Sequence, residues 1–411
     1  MKGNVEAIIT DFEKFIEFNE REKPALSAKQ GVFGKKDSFK LNQILRYKKD
    51  VSGPNYNQDQ YPVIDLLFSL VLDGRLYVRG NDENGKLALL KTSGMESFQS
   101  LNQYEKYVYL LQTYWTKYDF DGKFTRWMHI TAFFNLLVTV ANADEGQRIA
   151  KDERSYAGRL YSEGAAFFHH LRFFGLGELE LIDGAKGRYE DSIKAFIPNE
   201  FGVEVSGFLL SKAFLYWNRE DLPFLLSAME SKLSGKKDEN LFDVFKSIFP
   251  KEFVKRTVID ETEFDRSGTY TFKVSLSKNL WRKIRLSHKH SLYDLHMAIQ
   301  EAFDFDNDHL YAFYTGGNYR TGKPIYCPDT EREGVTTEEM RIVDLGLYKG
   351  QKMLYLFDFG DEWKFDVELV GIDKEALLPL KPAIVELKGK SPDQYNNDWS
   401  EREGSASRDG R

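Results

Sequence analysis

Apolar residues in the first two thirds of the chain mostly recur every three or four positions, the spacing of a buried helical face. Beyond Gly268 they mostly alternate, as in strands with one face covered. Residues 61–100 read as an apolar helix from Val63 to Leu72, a stop at Gly74, two short strands (RLYVRG and KLALLKT) joined by NDENG, and a second helix opening near Thr92-Ser93. NDENG supplies the Asn and Gly that a tight hairpin needs. Residues 165–215 repeat this order with other letters: an AAFFHHLRFF helix, a break at Gly175 and Gly177, strands ELELID and SIKAFIPN, and a helix from FGVEVSGFLL. Helix followed by hairpin is the winged-helix order, so the N-terminal half is expected to hold two winged-helix-like repeats. Between them, Leu101, Tyr104, Val108, Leu111 and Trp115 share one face of a helix over 101–115, an aromatic stripe of the kind that fills cores. Residues 211–233 also read as helical.

After the polar TVIDETEFDRSG, strands TYTFKVSL and WRKIRLS precede a helix over 291–303, with Ser291 as N-cap and Leu292, Leu295, His296, Ile299 and Phe303 on one face. A strand HLYAFY, a Gly/Pro-rich loop over 316–334 and a terminal hairpin, LYLFDFGDEWKFDVELV, complete the pattern. The hairpin turns at Gly360-Asp361 and gathers Asp358, Asp361 and Trp363 at its tip. The expected class is multidomain α+β, with a mainly helical, winged-helix-like N-terminal region and a C-terminal, β-grasp-like mixed sheet carrying one packed helix. The expected boundaries are 1–115, 116–255, a linker at 256–268, a domain at 269–395 and a disordered tail at 396–411.

At 411 residues the chain is too long for a single core. Its net charge of -7 gives no global attraction to nucleic acid or to an anionic membrane, so such binding needs a local patch. Cys327 is the only cysteine, which excludes an intrachain disulfide and fits a reducing cytoplasm. Acidic residues interrupt the N-terminal apolar stretch, unlike a signal peptide, and no apolar run is long enough to span a bilayer.

Residues 269–395 resemble the plasmid pRiA4b ORF-3-like family in Trp281-Arg282, Leu295-His296, His309 to Phe313, Phe357 to Trp363 and the closing GKSPDQY. Each motif is weak singly, and together they are specific. The resemblance implies bacterial or archaeal relatives described as plasmid or transposon passengers, some with a resolvase label. No serine nucleophile with its arginine set supports that label here.

Four side chains, His296, His309, Asp358 and Asp361, supply nitrogen and oxygen ligands for a divalent metal if helix, strand and hairpin tip converge. The competing reading makes the aspartates turn residues and the histidines satisfied core or rim groups. Trp281 and Trp363 offer an aromatic platform or strand core. DFG at 358–360 lacks every other kinase motif. His169 and His170 are adjacent and splay about 100° apart, which argues against a shared ligand. Cys327 reads as a loop thiol. Lys35, Lys36, Lys40, Arg46, Lys48 and Lys49, with Arg75, Arg79, Lys86 and Lys91 about the first hairpin, are the candidate DNA contacts, diluted by Asp50, Asp82 and Glu83. The expected role is a non-enzymatic binding or adaptor protein with a protein or DNA partner. A metal-dependent, hydrolase-like enzyme is the alternative.

Overall fold

A computed structural model describes residues 2–28, 30–120, 130–150, 165–182, 193–218, 240–258, 267–315, 323–330 and 334–394. The expected tail, most of the expected linker and the 219–233 part of the expected helix lie outside these. The chain divides into two compact units, Met1–Glu263 and Phe264–Arg411. Among the described residues no helix is long and apolar enough to cross a membrane.

The first unit opens with α1 (Lys2–Glu22), which buries Val5, Ile8, Ile9, Phe12, Phe15 and Ile16, a helical stripe. There follow α2 (Lys35–Ile44), α3 (Pro62–Asp73), the hairpin β1 (Tyr77–Asn81) and β2 (Leu87–Lys91), α4 (Ser93–Gln99) and α5 (Gln103–Lys117). Asn102 and Glu105 close a capping box on α5, whose Trp115 stacks on Trp217 at 4.7 Å. Next come α6 (Ile130–Ala141), β3 (Ile149–Ala150), α7 (Ala165–Phe173), β4 (Gly177–Leu181), β5 (Ile193–Pro198), α8 (Glu200–Ser211) and α9 (Leu241–Lys246). On α7, His170 is buried and its Nδ1 meets the Tyr114 hydroxyl at 3.1 Å, while burial pulls the neighbouring His169 down to about 3.

The two helix–hairpin–helix segments share bonds as well as order. After α3, Leu76 N–H donates to Val71 O and Thr92 N–H to Leu76 O; after α7, Leu176 N–H donates to Leu171 O and Asn199 N–H to Leu176 O. Thr92 and Asn199 cap α4 and α8, and their side chains donate to the carbonyls of Arg75 and Gly175. Arg75 and Gly175 both have left-handed φ, of 53° and 72°, so the sharp exit from each helix is made by the same conformation. The second copy adds a strand, in the order β3-β5-β4.

The second unit is built on β6 (Thr269–Ser277), β7 (Leu280–Ser287), α10 (Leu292–Phe303), β8 (Tyr311–Thr315), β9 (Lys323–Tyr326), β10 (Lys352–Phe357), β11 (Trp363–Asp373) and β12 (Ala383–Lys388). They form a seven-stranded sheet in the order β12-β7-β6-β11-β10-β8-β9. The α+β class holds, with helices mostly N-terminal and one helix across the C-terminal sheet. Every pairing in that sheet is antiparallel, so it is not mixed. The α10 crossover joins β7 to β8, which run the same way but have β6, β11 and β10 between them, so no parallel neighbours arise. The helical face read from sequence is buried in full: Leu292, Leu295, His296, Ile299 and Phe303 face Phe272, Val274, Ile284, Phe313, Tyr355 and Phe365.

Candidate functional site

The capping box of Ser291 and Asp294 starts α10, and Asp304, at φ 58°, ends it in the left-handed conformation. The acidic segment DFDNDHL then brings the chain back into β8. Gln394 fastens this segment, accepting from Asp306 N–H at 2.5 Å and donating to Asp308 Oδ1 at 3.3 Å. Beside it opens a cleft of about 390 Å³, lined by Tyr293, Asn307, Asp308, His309, Tyr311 and Cys327, with Asp329 and Glu338 from the facing loops.

His296 lies fully buried under this cleft. Its ring stacks on Tyr311 with centroids 3.6 Å apart and planes 5° from parallel. Nε2 lies 2.8 Å from Asn307 Oδ1 and Nδ1 lies 2.7 Å from the Tyr355 hydroxyl, which also accepts from Gln300 Nε2 at 2.7 Å. One proton arrangement satisfies all of these: Gln300 donates to Tyr355, Tyr355 to Nδ1, and Nε2–H to Asn307. Burial, opposed in part by the Asn307 bond, holds the imidazole down to about 4, so it is neutral at pH 7.

His309 sits on the cleft rim with its side chain 42% exposed, Nε2 lying 3.4 Å from Asp358 Oδ2 and 3.9 Å from Asp308 Oδ1. Asp358 takes φ 56° immediately after β10, and its Oδ1 accepts from the N–H groups of Gly360 and Asp361 at 2.8 and 3.3 Å. It therefore shapes the hairpin turn while presenting its second oxygen to His309. Asp361 is exposed. Trp363 packs edge-on against Phe305 at 4.9 Å, and its Nε1–H is buried with no partner among the described residues.

The four proposed metal ligands are thus drawn together only in part. His309 and Asp358 meet, whereas both nitrogens of His296 are occupied by core partners and Asp361 contributes its backbone. Among the described residues no group of three or more His, Cys, Asp or Glu side chains is arranged to hold a metal ion. Trp281 and Trp363 do not share a platform. Trp363 pairs with core-facing Phe357, whereas Trp281 lies on the other face of the sheet between the ammonium groups of Lys273 and Lys283. Cys327 is buried, and its sulfur accepts from Tyr311 N–H at 3.5 Å.

Sequence reading named Arg282 only within the Trp281-Arg282 motif and gave it no role; it is 3% exposed. Its guanidinium donates to the carbonyls of Ala302, Trp281 and Lys388 and to Ser391 Oγ, and lies 4.6 Å over the Phe303 ring. It ties β12 and the closing segment to the end of α10. Asn307 and Tyr355 were not singled out, and Gln394 entered only within the closing GKSPDQY, since isolated polar residues carry no periodic signal.

These contacts link Arg282, His296, Tyr311, Asp358, Trp363 and the 389–394 segment around one end of the unit, and residues 268–395 match the family described as plasmid pRiA4b ORF-3-like protein. The C-terminal unit carries a pRiA4b ORF-3-like domain. A crystal structure of a protein of unknown function from Methanosarcina mazei Go1 is 27% identical, over 31% of this chain and 72% of that one, with a TM-score of 0.25. No curated protein matches.

In the N-terminal unit, several candidate DNA contacts are engaged within the protein. Lys40 pairs with Glu22 at 3.5 Å and Lys91 with Glu20 at 3.4 Å; Lys49 donates to Gln60 O and Arg79 to Gly31 O. Arg46 lies over the Tyr47 ring, and Arg75 forms the turn after α3. Lys35, Lys36, Lys48 and Lys86 are exposed.

Proposed function

We propose that this is a binding or adaptor protein without a reaction of its own, whose pRiA4b ORF-3-like domain takes a cationic side chain of a partner protein in the cleft beside His309. The supporting observation is the cleft's lining: Asp308, Asp329 and Glu338 rim it, the half-buried Tyr293 stands beside them, and none of the described lining residues is Lys or Arg. Carboxylates around a partly enclosed, low-dielectric wall concentrate positive charge, and a tyrosine ring favours a guanidinium over neutral groups. The metal-enzyme reading has less support, because His296 is committed to Tyr355 and Asn307. DNA contact by the N-terminal unit has less support as well, because Glu20 and Glu22 stand among the lysines that would meet phosphate.

Fluorescence anisotropy with labelled Gly-Arg-Gly-Arg-Gly and Gly-Glu-Gly-Glu-Gly peptides tests the reading. The arginine peptide should bind and weaken with salt, and the Asp329→Asn/Glu338→Gln double variant should bind about tenfold more weakly, since two rim charges are worth about 0.7 kcal/mol each. Equal binding of both peptides, binding of neither, or an unaffected variant would refute it.

A further inference from the structure

The sheet ends at β12, whose six residues are all exposed. Its apolar side chains are uncovered: Ile384 39%, Val385 43% and Leu387 63% exposed, with Leu377 and Leu380 just before it at 97% and 96%. An open edge carrying apolar side chains is a template for another strand. Edges are commonly blunted by charge, and here Glu386 and Lys388 stand on either side of Leu387. Their arrangement decides which strand fits.

The pairing with β7 assigns the faces. Leu387 opposes Arg282, whose guanidinium covers Phe303 at the end of α10, so Leu387 lies on the helix side. Glu386 and Lys388 oppose Lys283 and Trp281 on the other side. If two copies of β12 run antiparallel with a two-fold axis through Leu387, the leucines meet on the helix side. On the opposite face each Glu386 then stands across from the partner copy's Lys388, twice over. Facing residues in such a pair lie about 5 Å apart, within reach of an ion pair. The charges that would repel a strand of like pattern are complementary to this one in reverse, the self-complementarity an isologous interface requires.

We propose that β12 is a homodimer edge, joining two C-terminal sheets into one continuous sheet with Leu387 at its centre. Glu386 keeps its 2.6 Å bond to Lys283 and Lys388 its 3.1 Å bond to Asn279, so both charges are held at the edge before a second copy arrives.

Sedimentation and light scattering of the full chain, wild type and two single variants, decide it. The wild type should have twice the chain mass. Lys388→Glu sets Glu against Glu and Glu386→Lys sets Lys against Lys, so each variant alone should dimerise at least tenfold more weakly. Mixed together they should recover a one-to-one heterodimer, because each then meets its opposite; this recovery also shows that both variants are folded. A monomeric wild type overturns the proposal and leaves the edge to another protein's strand. Variants that dimerise like wild type, or that fail to pair on mixing while retaining native circular dichroism, overturn it too.

Discussion

Replacing His296 by Phe tests the polar chain under the cleft. Phe keeps the ring and its stacking on Tyr311 but removes both nitrogens, leaving the Tyr355 hydroxyl and Asn307 Oδ1 without a bond they hold in the native fold. Each orphaned group costs about 1–3 kcal/mol at any pH. The pH dependence is the sharper signature. A protonated His296 would need Nδ1 to donate to Tyr355, whose oxygen already accepts from Gln300, and its own hydrogen would lose its acceptor. Burial therefore holds the folded imidazole near 4, against an ordinary 6.5. As pH falls, the unfolded chain takes up this proton first, so the neutral histidine's contribution is complete above about 6.5, declines as pH falls to about 4, and is flat below that. At about 1.36 kcal/mol per pH unit the loss comes to about 3 kcal/mol. Urea unfolding of the full chain at successive pH values, wild type minus His296→Phe, isolates this slope. Histidine-selective NMR should show one imidazole resonance, absent in the variant, that does not move between about pH 7 and about pH 5. A midpoint near 6.5 for that resonance, or a variant with the wild-type slope, would refute the reasoning.

Gly202→Ala should strongly destabilise the N-terminal unit, because its Cβ would lie 1.7 Å from Leu176 O, a backbone atom with no room to yield; about 3 kcal/mol or more should be lost in a thermal melt. Asp358→Asn should leave stability within about 0.5 kcal/mol, since Asn accepts from Gly360 and tolerates the left-handed φ, whereas Asp358→Ala should cost about 1–2 kcal/mol in urea unfolding. Arg282→Met should unpair the carbonyls of Ala302 and Lys388, cost about 2–3 kcal/mol and speed proteolysis within 383–394; unchanged proteolysis would show that the clamp is dispensable.

What could be read from the sequence follows from how each signal is written. Helices with apolar stripes, such as α3, α5 and α10, and strands bounded by Asn, Asp or Gly, such as β1, β2, β10 and β11, lie close to where periodicity and turn chemistry place them. Strands β9 and β12 escaped because KPIY is short and contains proline, and AIVELK buries no face, so neither shows the alternation that burial imposes. The direction of strand pairing is not local information. Only the sheet order reveals that the α10 crossover passes over three strands and leaves an antiparallel sheet.

The site was legible in its residue types and not in its connections. His296 and His309 look alike in a sequence, each followed by an apolar residue, yet one is a neutral core group bonded at both nitrogens and the other an exposed rim group beside Asp358. Their difference arises from parity and place. His296 lies on the buried stripe of a helix, whereas His309 precedes β8, where the chain has just left the acidic loop that Gln394 holds. Asp358 joins the two readings offered for it, since the carboxylate that fixes the turn through Oδ1 is the one that faces His309 through Oδ2. A variant that keeps the turn and removes the charge, Asp358→Asn, therefore separates fold from function: if the carboxylate beside His309 adds to the cleft's attraction for cations, peptide binding should weaken while the melting temperature holds.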